Sequence, residues 1–187
     1  MLTELPLNWA ARSTILLEKS MKNYSVKAPT FSEVYRNPCH LVTTFFGAGC
    51  ITPAPGTWGS FAAWPVFWLM SQYLPASVIW AVIAAVFVLG ALTIPSSGRL
   101  LGKVDHGSIV IDEVVAVWII LMLIPQTFFW QLAGVAVFRV FDIVKLPPAS
   151  TIDSLRQNGW TVMADDLLAA AYALVVLFGA KELLLWL

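Results

Sequence analysis

Between Arg36 and Arg99 the chain carries no Asp, Glu, Lys or Arg, and 62 consecutive uncharged residues cannot form the surface of an ordinary soluble domain. A second uncharged run of 25 residues separates Glu113 from Arg139. A membrane-spanning helix needs about 20 apolar residues, so these runs and the apolar C-terminal stretch hold several spans. The sequence predicts an all-α fold: a polytopic membrane helical bundle of about five segments. Lys+Arg and Asp+Glu each number 11, leaving no net charge and none of the positive field with which a protein neutralises nucleic-acid phosphates. Nucleic-acid partners are thereby excluded. Cys39 and Cys50 are too few for a disulfide framework and lack metal-site spacing.

Residues 1–36 read as a polar leader in which Trp9, Ile15, Leu16 and Leu17 can form an interfacial helix, with Arg12, Lys19 and Lys22 facing water. No apolar core ahead of a small-residue cleavage site marks this leader as a secretory signal. Residues 37–187 form a single membrane-embedded domain. Within it, the glycines and prolines of 47–60 predict a loop. Apolar segments follow at 58–75 and 76–95, ended by Pro75 and Pro95, and then a polar connection over 96–108. The segment 109–145 reads as a short hairpin, because Pro125-Gln126-Thr127 joins a helix breaker to a capping residue and Phe128, Phe129 and Trp130 suit a membrane interface. The last span runs over 163–187.

Lys and Arg fall in the leader, in 96–108 and in 139–162, whereas the turns near 71–76 and 125–127 have none. The positive-inside rule then gives a cytoplasmic N-terminus. The same path brings Asp112 and Glu113, Asp142, and Asp165 and Asp166 to one membrane face. Such a cluster repels itself unless a multivalent cation sits in it, and hard oxygen ligands suit Mg²⁺ or Ca²⁺. Helix caps and interfacial charges would account for any one acidic pair; three clusters on one face favour a functional site.

Arg139, Asp142 and Lys145 are spaced to share a helical face. Two readings stand for them: a structural ion pair, or Asp142 holding metal while Arg139 or Lys145 grips phosphate. Gly56, Thr57, Gly59 and Ser60, just before a helix, can aim backbone N–H groups and hydroxyls at an anion, or simply turn the chain. His106, beside Asp105, can protonate a leaving group; the competing reading is a solvent-exposed loop histidine. His40 reads as interfacial packing. Neither cysteine has an arginine six positions on, and no Asp-x-Asp or Gly-x-Ser-x-Gly occurs. Metal-assisted displacement is what remains.

Four blocks, NPCHLVTTFFGAGCITPAPGTWGS, DHGSIVIDE, FRVFDIVKLPP and VMADD, in this order and spacing, resemble the phosphatidylglycerophosphatase A family over roughly residues 37–187. The resemblance implies a multi-pass protein of the bacterial inner membrane, an Mg²⁺-dependent lipid phosphatase converting phosphatidylglycerophosphate to phosphatidylglycerol and inorganic phosphate at the cytoplasmic face. The family's charged positions correspond here to Asp105, Asp112, Glu113, Arg139, Asp142, Lys145, Asp165 and Asp166, with Gly56, Thr57, Gly59 and Ser60 from the glycine-rich block. The expected roles are metal binding by Asp112, Glu113, Asp142, Asp165 and Asp166 in some combination, and phosphate binding by Arg139, Lys145 and the glycine-rich block. The chain departs from the family at Lys145-Leu146-Pro147-Pro148, at Ala116 and Ala170 where glycine is usual, and at Trp160-Thr161. These bear on helix packing and loop shape; no charged position is missing. Two other classes remain, a small cation-binding transporter, which would need acidic groups at mid-span, and a non-catalytic membrane scaffold. Oligomeric state is not legible.

Overall fold

The computed structural model describes residues 28–144 and 158–186; the leader's Trp9 to Lys22 helix and Lys145 lie outside them. Every regular element among the described residues is helical: α1 (Phe31–Arg36), α2 (Pro38–Thr43), a 3₁₀ turn (Ala48–Cys50), α3 (Pro55–Tyr73), α4 (Ala76–Leu101), α5 (Ile111–Leu123), α6 (Phe128–Val144) and α7 (Gly159–Trp186). Of the five expected segments, α4 and α7 are long and apolar enough to cross a membrane. The 13 residues of α5 rise about 20 Å, less than the hydrocarbon thickness of about 30 Å.

α5 is the core of the molecule. Ile111, Val114 to Trp118, Ile120 and Leu121 are all buried, and the helix packs against α3, α4, α6 and α7. A helix apolar on every side is stable only when surrounded. Beyond Ile124 the chain reverses, with Gln126 donating to the carbonyls of Leu121 and Ile124. α6 returns antiparallel to α5: Arg139 meets Glu113 at one end, and Gly134 packs on Ile120 and Ile124 at the other. Gln131 of α6 also accepts a 2.7 Å hydrogen bond from the Trp64 indole of α3. The outer faces carry exposed Trp68, Leu89, Leu92, Phe128 and Val175.

Several boundaries differ from the sequence reading. Pro95 does not end a segment, since α4 continues through it to Leu101. Proline removes the N–H that would bond the carbonyl of Ala91, and that carbonyl instead lies against Gly159, where any Cβ would overlap it. The helix thus tolerates proline at a point where the start of α7 packs against it. Likewise 47–60 is not one loop. Pro55 opens α3 at a position that needs no N–H, so Gly56, Thr57, Gly59 and Ser60 stand inside a helix. The polar stretch 96–108 contributes its first half to α4, and α7 begins at Gly159, placing Asp165 and Asp166 about two turns inside it. Val34, on the short helix within the leader, is fully buried.

Candidate active site

The N-terminus of α5, the C-terminal half of α6, the second turn of α7 and the loop 102–110 meet around a pocket of about 300 Å³. Its polar lining is Lys103, Asp105, Asp112, Glu113, Asp142 and Asp166. Asp112 and Asp166 are 5% and 2% exposed and form the floor, while Lys103 and Gly107 are exposed at the rim. One carboxylate oxygen each from Asp112, Glu113 and Asp166 lie within 4.8 Å of one another.

Charges this close need compensation. Asp112 and Glu113 occupy the first turn of α5, where the helix dipole favours negative charge. Glu113 also abuts the first turn of α3: a Cβ on Gly56 would overlap its Oε1 and lie 2.9 Å from Nη1 of Arg139. Arg139 supplies a formal positive charge, its Nη1 standing 2.7 Å from Oδ2 of Asp142 and 3.4 Å from Oε1 of Glu113. The ion pair anticipated from the three-residue spacing forms, and it extends across the hairpin to a second carboxylate. The other oxygen of Glu113, Oε2, is buried with no hydrogen-bond partner. An acceptor left so is costly, and a hard cation held by three carboxylates would satisfy it. The donor set therefore fits Mg²⁺ or Ca²⁺.

The loop 102–110 is braced from both sides. Gly102, in the left-handed region at φ 83°, ends α4 and turns the chain back on it, and Gly98 lies so near the loop backbone that a Cβ would stand 2.8 Å from the carbonyl oxygens of Lys103 and Val104. At the far end the N–H of Val110 donates to Thr43 O at 2.8 Å, and Gly49 packs against the carbonyl of Ser108. His106 within this loop is 4% exposed, not a solvated loop histidine. Its Nδ1 accepts the Ser108 N–H at 3.1 Å. Burial, reinforced by Lys103, lowers its pKa, and it stands outside the pocket lining.

Of the glycine-rich four, Gly56 abuts Glu113 and Arg139. Gly59 packs on Val110 of the neighbouring loop, and the Ser60 hydroxyl donates to Gly56 O at 2.9 Å within its own helix. Thr57 is half-buried. Asp165, 2% exposed, precedes Asp166 on α7 and is outside the lining. His40 is buried against α4, its Nδ1 2.7 Å from the Ser97 hydroxyl. Lys103 entered the sequence reading only as an orientation charge; its place two residues before Asp105 was the available signal.

Residues 41–181 match the family model described as Phosphatidylglycerophosphatase A. A Haemophilus influenzae protein named phosphatidylglycerophosphatase A is 42% identical over 78% of this chain and 90% of its own. An Escherichia coli K12 protein of the same name is 35% identical over 76% of this chain and 83% of its own. A Bacteroides thetaiotaomicron protein named as a putative phosphatidylinositol-3-phosphatase is 32% identical over 83% and 98%. No solved structure matches at a significant level. With a family model covering most of its length and its acidic blocks gathered into one pocket, the chain belongs to the phosphatidylglycerophosphatase A family and is a phosphatase.

Proposed function

We propose that this protein hydrolyses phosphatidylglycerophosphate to phosphatidylglycerol and inorganic phosphate at the cytoplasmic face of a bacterial inner membrane, with Mg²⁺ held by Asp112, Glu113 and Asp166. The observation that carries this is the convergence of those three carboxylates within 4.8 Å, in one pocket with Lys103, in a member of this family. When bound, the cation supplies Lewis-acid activation of water and neutralises charge on the phosphoryl oxygens. The chain's own residues do the rest. Asp112 and Asp166 form a floor shielded from bulk water, where electrostatic interactions are stronger. Arg139 fixes Glu113 and Asp142 from behind the pocket, acting as a positioning residue. His106 lies off the lining, in the loop that carries Asp105 to the pocket. Arg99 in the last turn of α4 and Lys103 just beyond it lie toward the pocket end of that helix, which supports the cytoplasmic orientation under the positive-inside rule. That orientation suits a substrate whose acyl chains stay in the leaflet while its phosphate reaches water.

The test is phosphate release from phosphatidylglycerophosphate in mixed micelles by the purified full chain, with Mg²⁺ and with EDTA, beside Asp112→Asn and Asp166→Asn. Release that requires Mg²⁺ and disappears in both variants supports the proposal. A folded wild-type protein that releases phosphate from phosphatidylinositol 3-phosphate and not from phosphatidylglycerophosphate would overturn the substrate assignment; turnover unaffected by EDTA would overturn the metal.

A further inference from the structure

The pocket has a polarity that the metal site alone does not use. Its floor is carboxylate and buried, while its rim carries Lys103, the one basic residue among the described residues of the lining. Lys103 stands within ion-pair distance of no described carboxylate, in contrast to Arg139, whose Nη1 is engaged by both Glu113 and Asp142. Among the described residues its ammonium is paired with no carboxylate. Its backbone is nevertheless held: Gly102 caps α4 in the left-handed region and Gly98 admits the Lys103 carbonyl against the helix. A lysine whose backbone is held at the mouth of an acidic pocket suits recognition of an anion.

The proposed substrate carries two phosphates of different chemistry. The terminal monoester must reach the floor, where metal compensates its charge; the diester joining headgroup to diacylglycerol is a monoanion that remains on the product, nearer the rim. Resting on the proposed phosphatase activity, we infer that Lys103 binds this phosphodiester and so selects lipids bearing a phosphomonoester outboard of a phosphodiester. Lys103 is thus a specificity-determining residue, separate from the carboxylates that carry the chemistry.

The experiment uses the full chain in detergent with saturating Mg²⁺, dihexanoyl phosphatidylglycerophosphate as substrate, and Lys103→Ala and Lys103→Arg as variants. Loss of one charge-assisted hydrogen bond predicts KM raised about tenfold in Lys103→Ala, with a much smaller fall in kcat and recovery in Lys103→Arg. Inhibition by dihexanoyl phosphatidylglycerol, which has only the diester, should weaken by the same factor, while inhibition by inorganic phosphate, which mimics only the monoester, should not. An unchanged KM overturns the inference, as does an equal loss of inhibition by phosphate. Failure of the wild-type protein to hydrolyse the lipid would instead overturn the activity itself.

Discussion

Gly56 and Glu113 are in such close contact that any side chain on the first would displace the carboxylate of the second, and with it the guanidinium of Arg139. The first turn of α3 and the first turn of α5 thereby share one site.

Gly56→Ala tests that contact. Glu113 must move, and misplacement of a catalytic group by about 1 Å can cost on the order of 100-fold in rate. Gly179, on α7 with open space for 4 Å around the point where a methyl group would stand, is the control. We expect Gly56→Ala to lose most of its kcat and Gly179→Ala to retain it, measured by phosphate release with folding checked by circular dichroism.

Arg139 is the second case. Removing one partner of a buried pair costs about 3–5 kcal/mol because the other charge is left uncompensated; the side chains here are 14–17% exposed, which places the loss toward the lower end. Arg139→Met should lower thermal stability more than Asp142→Asn. The double variant should lose less than the sum of the two, which a double-mutant cycle in detergent would measure.

Metal binding has a readout apart from turnover. A ligand that binds only the folded state raises the melting temperature by mass action, so Mg²⁺ should raise that of the wild-type protein and EDTA should reverse the gain. Asp112→Asn and Asp166→Asn should abolish the shift. A full shift in both would remove these residues from the metal site.

The two histidines fix a sign for pH dependence. His40 and His106 have pKa values lowered in the folded protein, in both cases chiefly by burial. The unfolded chain then binds more protons as pH falls below about 6.5, the ordinary histidine value, so stability is full above it and declines toward the lowered folded values. Melting temperature measured from pH 7.5 to 5 should fall. His40→Gln and His106→Asn should each reduce that dependence.

Helix interiors were harder to read than helix identities. Pro95 and the glycines of 47–60 look like breakers by local rules, yet α4 passes through the proline and α3 begins before Gly56 and Gly59. Tertiary contact decides such cases: Gly159 approaches the carbonyl left open by Pro95, and Val110 fills the space beside Gly59. Arg139 with Asp142, by contrast, follows directly from helical spacing.

The helical class, the family and the acidic residues of the pocket were legible in the chain, because charge-free runs and motif order are local properties written along it. How those residues divide depends on the packed fold. It put Asp112, Glu113, Asp142 and Asp166 on the pocket, left Asp165 and His106 off it, turned Arg139 toward Glu113 across the hairpin, and brought Lys103 to the rim. The physical reason is that helix rotation and loop return are set by packing around α5, and no periodicity in one segment reports which side its neighbours will occupy.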